Sequence, residues 1–457
     1  MLEVMVVVFV RGVDQAEFVS RLRGVAGERV LLVPVDVGKR SAMSMVANQL
    51  GEVVVDPFEF PLDGAGVDVL LGRVAGAEKV ADPVVVRFGI EAAGHYHRTL
   101  TETLRVEGVE VVELHPGAVH KARGEMGQRR LKSDLRDLAA MVELMARGTG
   151  RASRWEDGPI AIQAVWSAHR RRKVRARVTM GMQLQSQLDL VFPGLGDCFK
   201  DVIRAKGGHT ILRYCPDPVR IKKMGPEGLR AYVGHRGVRM ARSKAALIVA
   251  TAQRALLLPE AERRARKRVL IADLAVYDKI CAEIERAETE LAAVIDDTPA
   301  GVLTSLPGVG IPRASAYGAG LGDPWRFASA ATAWRYSGLV PVEYQSAGRQ
   351  RPGMRISREG SVPLREAILE LGKGLSDHHP EFKAYKRQKI AAGKKKTVAA
   401  VAVAHRAHRL AFAMIRTQTV FDPQLWEQST VGRSVTATGG DRNDVTHPPP
   451  ITMPAPG

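Results

Sequence analysis

The chain has few cysteines, and the conspicuous apolar run near its start is too short to cross a membrane. Its three cysteines, Cys198, Cys215 and Cys281, are too widely spaced for a zinc knuckle and too few for a disulfide framework. The apolar run at residues 4–10 is far shorter than the ~18 residues that a membrane span needs, and no basic region or cleavage signature accompanies it. These absences predict a protein of the reducing cytoplasm without a membrane partner.

Positive charge is present in excess. The 457 residues include 67 Lys and Arg against 49 Asp and Glu, which gives a net charge of +18. Such a surplus indicates an acidic polymer as the partner, and nucleic acid is favoured over an acidic membrane surface. A chain of this length with 45% hydrophobic residues exceeds what one core usually holds, so we expect at least two domains.

Strand-like and helix-like patterns alternate between residues 30 and 150. The β-branched runs lie at Val30–Val37 and at residues 43–55, 84–90 and 109–114, and residues 95–107 have a helical pattern. Strands followed by helices at this spacing predict an α/β sheet with a parallel portion. Because proline cannot donate a ladder hydrogen bond, we expect the paired part of the first strand to begin at Pro34.

The pattern becomes helical and strongly charged after residue 150. The run HRRRKVRAR at residues 169–177 is predicted to open a helix that ends at Pro193-Gly194. Further on, apolar residues at four-three spacing indicate a coiled-coil arm, and one helix of an ordinary bundle is the open alternative. The apolar positions are Leu270, Leu274, Tyr277, Cys281, Ile284, Leu291 and Ile295.

The last segments are a mostly helical unit and a tail that lacks apolar periodicity and is rich in turn formers, which predicts disorder. We therefore expect five segments. They are an N-terminal extension at 1–29, an α/β domain at 30–150, a basic helical and coiled-coil connector at 151–298, a C-terminal domain at 299–425 and a disordered tail at 426–457.

Four acidic residues are candidates for chemistry. Asp36 and Glu91 each follow an apolar strand, and if these strands are parallel neighbours both carboxylates emerge at one edge of the sheet. Asp134 and Asp137 are three residues apart on a predicted helix and share a face. They flank an apolar stripe of that helix, made of Leu131, Leu135, Leu138, Val142 and Met145.

Carboxylates that converge in this way repel each other unless a cation lies between them. Oxygen ligands suit Mg²⁺ or Mn²⁺, held in pairs to bind the attacking and leaving oxygens of a phosphate. The alternative is that each acid is an ordinary solvated residue, since a DxxD spacing alone is a weak motif.

Two features of the C-terminal domain could contact phosphate. In LPGVGIPRASAYGAGLG, Gly308 and Gly310 would bare backbone N–H groups in a turn between helices, and a plain helix–helix turn is equally favoured. Ser346 follows in a predicted loop, where a serine is usually just a polar turn residue. Several arginines come after it, namely Arg349, Arg351, Arg355 and Arg358.

The ordered motifs PVDVGK, GIEAAGHYHRTL, VEVVELHPGAV and KSDLRDLAAM resemble the DEDD motifs of the insertion-sequence 110 family of transposases. The basic helix resembles that of the family, and LTSLPGVG, RFASAATAWRYSGLVP, YQSAG and EGSVPLREAIL resemble its C-terminal domain, so the likeness covers nearly all of residues 30–420. Two departures are Leu138, where the family usually carries alanine, and the N-terminal extension, residues 1–29, that precedes the expected start.

The resemblance implies a RuvC-like, ribonuclease H type fold in which Asp36, Glu91, Asp134 and Asp137 bind the metal. It also implies that Ser346 is the nucleophile that attacks the DNA phosphate, with Ser337, Ser357 and Ser361 as fallback positions. A structured guide RNA that bridges donor and target DNA is a further implication.

We therefore expect a nucleoid-associated transposase or recombinase that cleaves and exchanges DNA strands as a homo-oligomer, a dimer or tetramer assembled partly by the helical arm. The expected nucleic-acid contacts are Arg170, Arg171, Arg172, Lys173 and Arg175 on the basic helix and Gly308, Gly310, Arg349, Arg351 and Arg355 in the C-terminal domain. Two alternatives stay open: a junction-resolving nuclease that uses metal-activated water, and a non-catalytic nucleic-acid-binding protein.

Overall fold

The computed structural model describes residues 13–92, 94–126, 133–152, 158–342, 345–346, 349–350 and 355–423. The chain divides into two compact units, residues 1–155 and residues 156–457, and each is considered by itself.

The first unit is built on a six-stranded sheet. Its strands are β1 (Val30–Val37), β2 (Ser41–Asn48), β3 (Val53–Pro61), β4 (Val85–Glu91), β5 (Val111–Leu114) and β6 (Arg151–Ala152). Their order across the sheet is β3-β2-β1-β4-β5-β6. β1, β4 and β5 pair in parallel, whereas β2, β3 and β6 run antiparallel to their neighbours. This arrangement confirms the predicted α/β class with a parallel portion.

Helices cover both faces of this sheet. They are α1 (Val13–Arg21), α2 (Gly64–Ala81), α3 (His97–Val106), α4 (Pro116–Glu125) and α5 (Asp134–Ala146). Successive strand residues point to opposite faces, so Leu31 packs with α2 and α3 while Leu32 packs with α4 and α5. Phe18 and Leu22 are buried in the second of these cores, so part of the segment before residue 30 packs as core.

The prediction that pairing begins at Pro34 is wrong. Pairing between β1 and β4 starts at Val30 opposite Val85, and Pro34 lies inside it opposite Gly89. On the side of β1 that faces β2, Leu32 pairs with Ala47 and Val35 pairs with Ser44, so Pro34 lies between two paired positions. The Ser44 hydroxyl, which is buried, donates a hydrogen bond of 2.8 Å to the carbonyl of Pro34. A side chain from the neighbouring strand thus satisfies the carbonyl of the proline.

The second unit is helical in most of its described residues. Its helices are α6 (Gly158–Val191), α7 (Lys206–Tyr214), α8 (Pro218–Gly234), α9 (Arg242–Arg254), α10 (Glu260–Val294), α11 (Ile311–Leu321), α12 (Ala330–Tyr336), α13 (Val362–His378), α14 (Pro380–Ala391) and α15 (Lys396–Thr417). A short hairpin is formed by β7 (Gln345–Ser346) and β8 (Arg349–Gln350). Two apolar cores lie within this unit, one around α7–α9 and one around α11–α15.

The long helices α6 and α10 pack against each other. α6 begins at Gly158, so the basic run lies inside the helix and does not open it, although the helix ends near the predicted point, at Val191. Leu270 and Leu274 of the predicted seam are buried together with Leu184 of α6. This chain's own helix covers these seam positions, which favours the bundle alternative over an arm whose seam faces another subunit.

Among the described helices, α15 alone is long and apolar enough to cross a membrane. Half of its most apolar stretch is buried inside the unit, where Ala404, Ala407 and Ala411 belong to the core. This burial is typical of a core helix, and length and composition alone are weak evidence for a span.

Candidate active site

Asp36 and Glu91 lie at the same edge of the sheet. β1 and β4 are adjacent and parallel, and Val35 pairs with Ile90. The residue after Val35 on β1 is Asp36, and the residue after Ile90 on β4 is Glu91. Both therefore lie at the carboxyl ends of their strands. The condition on which their convergence depended, that the strands be parallel neighbours, is confirmed.

Asp134 and Asp137 both lie in the first turn of α5. Asp134 is the first residue of the helix and is exposed, whereas Asp137 is only 3% exposed. Leu138, Val142 and Met145 are buried as predicted, but the prediction for Leu135 is wrong because it is 53% exposed; Leu131 lies outside the described residues. Only the later part of the predicted stripe is core, since the first turn extends beyond the sheet's apolar face.

The four acids line one cavity with a volume of 650 Å³. The same cavity is lined by three charged or titratable residues that the sequence reasoning missed, namely Glu59, His120 and Arg123. His120 and Arg123 are three residues apart on α4 and so share a face, which is the signal that could have found them. Glu59 lies on β3 opposite Met43, which itself lies opposite Asp36, and only the register of the sheet reveals this.

Arg123 makes an ion pair with the carboxylate of Asp137. Its Nη2 also lies 2.9 Å from Nδ1 of His120. Both side chains of the ion pair are largely buried, with 11% of Arg123 and 5% of Asp137 exposed. A buried carboxylate in water-poor surroundings needs such a partner, and Arg123 supplies the positive charge that stabilises it here.

The donor set fits a divalent cation in its chemistry. Carboxylate oxygens are the ligands that Mg²⁺ and Mn²⁺ prefer, and four carboxylates line this cavity in addition to Glu59. Among the described residues, no three carboxylate, imidazole or thiolate groups stand close enough together to share one ion. Asp137 is paired with Arg123, so this carboxylate would have to exchange its partner to become a ligand.

The structure describes Ser346 by its backbone, in strand β7 of a short hairpin and not in an irregular loop. Its role as nucleophile stays a prediction. The fallback serines have structural roles, because Ser337 is buried and donates to the carbonyl of Trp334 at 2.6 Å, and Ser361 caps α13 by accepting from the N–H of Leu364. Ser357 donates to the carbonyl of Gly338 at 3.4 Å.

The predicted phosphate contacts near this hairpin are described unevenly. Arg349 lies in β8, Arg351 lies outside the described residues, and the carbonyl of Arg355 accepts from the N–H of Val342. Gly308 has φ +76°, and a Cβ there would lie 2.4 Å from Nδ1 of His378, so packing against α13 already requires glycine. Gly310 directly precedes α11, and phosphate binding at this turn stays a prediction.

On the basic helix, three of the five predicted contacts are engaged with glutamates of the same unit. Arg170 pairs with Glu288 at 2.7 Å, and Arg171 and Arg175 both pair with Glu366. Arg172 is exposed, and within the described part of the chain no carboxylate lies within ion-pair distance of it. Lys173 is half-buried. Helix packing thus explains part of this charge without a nucleic acid.

Comparison with known proteins supplies two family matches. Residues 33–193 match a model of DEDD transposases of the IS110 type, and residues 300–387 match one described as the transposase IS116/IS110/IS902 family. The first match and the mixed sheet agree with the expected RuvC-like fold. Residues 194–299 lie between the two matched segments.

Three curated relatives belong to insertion elements. An uncharacterized 44.8 kDa protein of IS116 from Streptomyces clavuligerus is 24% identical over 404 residues, which covers 86% of this chain and 96% of the relative. An uncharacterized 43.6 kDa protein of IS110 from Streptomyces coelicolor is 30% identical over 139 residues, or 30% of this chain and 34% of the relative. The transposase for IS1328 from Yersinia enterocolitica is 33% identical over 98 residues, which is 21% of this chain and 29% of the relative.

Proposed function

Because the chain belongs to the IS116/IS110/IS902 family of DNA transposases, we propose that it cleaves and exchanges DNA strands with Ser346 as nucleophile and a divalent metal bound by its carboxylates. The observation that carries this proposal is the single cavity lined by Asp36, Glu91, Asp134 and Asp137, residues that are distant in sequence and belong to three different elements.

The metal would be held by Asp36, Glu91 and Asp134 after these side chains draw closer together than they stand here, with Asp137 joining once its ion pair is exchanged. When bound, Mg²⁺ or Mn²⁺ would stabilise the negative charge that develops on the phosphate oxygens during phosphoryl transfer. Arg123 is already in the cavity, and the scissile phosphate offers its guanidinium an anionic partner in place of Asp137. We propose this exchange as the way in which substrate and metal enter together.

Ser346 would act by direct attack on phosphorus. Its Oγ forms a bond to phosphorus while the bond from phosphorus to one deoxyribose oxygen breaks; the serine proton passes to a base and the leaving oxygen is protonated. The phosphoserine diester that results keeps the bond energy of the strand. A hydroxyl of a second strand then attacks phosphorus and releases the serine, so the strands are rejoined without a nucleotide cofactor.

We also propose that the protein binds a guide RNA, that it acts as a homo-oligomer and that it is associated with the nucleoid in the cytoplasm. The support for a nucleic-acid partner is the net charge of +18 and the exposed Arg172 on α6. The support for an RNA guide is the family resemblance, since electrostatic attraction does not distinguish RNA from DNA.

The decisive experiment compares Ser346→Ala with Asp134→Ala in a strand-cleavage assay with labelled DNA, resolved on denaturing gels that retain covalent adducts. We expect both variants to lose cleavage, and Ser346→Ala to lose the protein–DNA adduct while still binding DNA. Ser357→Ala is the matched control, because its hydroxyl makes only two long structural hydrogen bonds, to the carbonyl of Gly338 and from the N–H of Glu359, and it should keep the adduct.

Nicking that survives Ser346→Ala but not Asp134→Ala would contradict the serine mechanism. It would return the protein to the class of nucleases in which activated water attacks phosphorus.

A further inference from the structure

The segment between α6 and α10, residues 192–259, carries much of the chain's charge. It holds 13 Lys and Arg against 4 Asp and Glu, a net charge of +9 out of the +18 of the whole chain. The segment lies almost entirely outside both family-matched regions. It is folded into one core together with α6 and α10, in which Ile211, Leu229 and Ile248 of three successive helices are fully buried. Its charges are therefore displayed on a rigid support.

Two tyrosines and two arginines of this segment form one surface cluster, which we call the tyrosine–arginine cluster. The guanidinium of Arg236 lies 3.8 Å from the ring centre of Tyr232 and 5.0 Å from that of Tyr214. The guanidinium of Arg220 lies 5.2 Å from the ring centre of Tyr232. Cations and aromatic faces therefore alternate across the ends of α7 and α8.

Hydrogen bonds fix the cluster in place. The hydroxyl of Tyr232 donates to the carbonyl of Tyr214 at 3.1 Å, and Nη1 of Arg236 donates to the carbonyl of Tyr232 at 2.9 Å. Tyr214 remains 49% exposed, and both arginines are exposed. The side chains of Tyr232 and Arg236 are thus held in place beside the exposed ring of Tyr214, so a ligand would meet a partly prepared surface.

The charge of this cluster is not neutralised as it is on α6. Across the residues that the structure describes, neither Arg220 nor Arg236 has a carboxylate within 4.0 Å, and the same holds for the exposed Lys222, Lys223 and Arg239 nearby in sequence. The arginines of α6, by contrast, face Glu288 and Glu366. A group of cations without nearby counter-charge attracts a polyanion most strongly.

We propose that the tyrosine–arginine cluster binds unpaired nucleotides of a single-stranded nucleic acid. An exposed tyrosine ring offers a face on which a base can stack, and adjacent arginines bind the phosphates or stack on the bases themselves. A duplex would use the cations alone, because its bases are already stacked on each other. This cluster belongs to the second unit, shares no residue with the carboxylate cavity and has no part in the proposed cleavage chemistry.

The test measures binding of full-length protein to labelled oligonucleotides by fluorescence anisotropy, in chelator so that cleavage is excluded. The probes are an unstructured RNA, a DNA strand of the same sequence and a DNA duplex, each titrated over a range of salt. Tyr214→Ala should weaken binding of the single strands roughly 10- to 100-fold and leave the duplex within about 2-fold. Tyr214→Phe keeps the ring and should bind as the parent does.

Arg236→Ala should weaken all three probes and lower the salt slope for single strands by about 0.7 for each phosphate that the side chain no longer neutralises. Arg254→Ala is the matched control, since Arg254 is an exposed cation at the end of α9 and forms no ring contact among the described residues. Its variant should change every probe by less than about 2-fold.

Tyr214→Ala should remain folded, because the Tyr214 side chain is half-exposed and the hydrogen bond from Tyr232 is accepted by the backbone carbonyl, which the substitution keeps. Circular dichroism checks this. A larger loss of affinity for RNA than for DNA identifies a guide strand as the ligand, and the reverse identifies a DNA strand; both support the site. Equal losses for duplex and single strands in Tyr214→Ala, or no loss in that variant, would overturn it. Neither result depends on Ser346 or the carboxylates, so failure here is distinct from failure of the proposed cleavage.

Discussion

The carboxylate cavity of the first unit and the basic helix α6 of the second use their charged side chains in opposite ways. In the first unit, four carboxylates from β1, β4 and α5 line one cavity, and among the described lining residues Arg123 is the only arginine or lysine. In the second unit, Arg170, Arg171 and Arg175 each meet a glutamate of the same unit. Like charges gathered in a cavity cost energy and indicate a ligand, whereas balanced pairs on helix faces indicate packing. A cluster of charged residues therefore indicates a function only where a ligand, and not a neighbouring side chain, supplies the opposite charge.

The largest expected effect tests the carboxylate cavity. Asp36→Ala should lower metal-dependent strand cleavage on the order of 10³-fold or more, because loss of one carboxylate leaves the metal poorly held. Cleavage rates measured with Mg²⁺, with Mn²⁺ and with chelator provide the test. Glu59→Gln is the control, since Glu59 lines the same cavity but belongs to none of the DEDD motifs, and it should stay within about 10-fold of the parent.

Activity that is undiminished in chelator would refute the metal site. An equal loss of activity in Asp36→Ala and Glu59→Gln would show that cleavage depends on the total charge of the cavity. The four carboxylates of the DEDD motifs would then have no special role as metal ligands.

A smaller effect concerns a buried neutral pair in the second unit. Burial lowers the pKa of His408 to about 4, although Nε2 of this histidine also contacts the carbonyl of Ala330 at 2.8 Å. Its Nδ1 lies 2.8 Å from the hydroxyl of Tyr317, whose pKa is raised by burial. The imidazole is therefore neutral in the folded unit, with Nε2 donating to the carbonyl and Nδ1 accepting from the hydroxyl.

The sign of the resulting pH dependence follows from the ordinary histidine pKa of 6.5. Between this value and about 4, the unfolded chain binds a proton that the folded unit does not, so stability is complete above pH 6.5 and is lost as the pH falls. The total loss is about 3 kcal/mol. Denaturant unfolding between pH 7 and 4 measures it. His408→Gln should be less stable at pH 7 yet vary less with pH, and an unchanged pH dependence would contradict the assignment.

The smallest effect distinguishes two arginines of the same helix. Arg172→Ala should lower the salt slope of nucleic-acid binding by up to about one unit, because this exposed cation lacks an ion pair within the described part of the chain. Arg170→Ala should instead leave the slope nearly unchanged and cost ~1 kcal/mol or less of stability through loss of the pair with Glu288. Equal slopes in both variants would remove the distinction between paired and unpaired cations.

Local patterns predicted much of the fold and of the candidate site. Val30–Val37 is a strand with the predicted bounds, and α3 lies within the predicted helical residues. Asp36 and Glu91 could be placed at one sheet edge because parallel neighbouring strands end on the same side. Asp134 and Asp137 could be placed on one face because three residues make nearly one helical turn. These inferences depend only on residue spacing along a regular element.

Other predictions failed where a partner distant in sequence decided the outcome. Pro34 lies inside a paired strand, opposite Gly89, and its carbonyl accepts a hydrogen bond from the hydroxyl of Ser44 on the other neighbouring strand. Leu135 is exposed because the first turn of α5 extends past the core, although its spacing fits the apolar stripe. The start of α6 at Gly158 was missed because no buried apolar stripe marks the described helical residues before the basic run, where Gln163 is the buried residue and Ile162 and Val165 are exposed.

The sequence by itself determined the α/β class, the order of the motifs and the four acids, because periodicity and strand ends are properties of the chain alone. Only the tertiary structure decided which charges are neutralised. Glu288 is 118 residues from Arg170, and Arg123 and Asp137 come from different helices. The energy of a charge depends on its neighbours in space and on its burial, and neither quantity can be read from the linear spacing of residues.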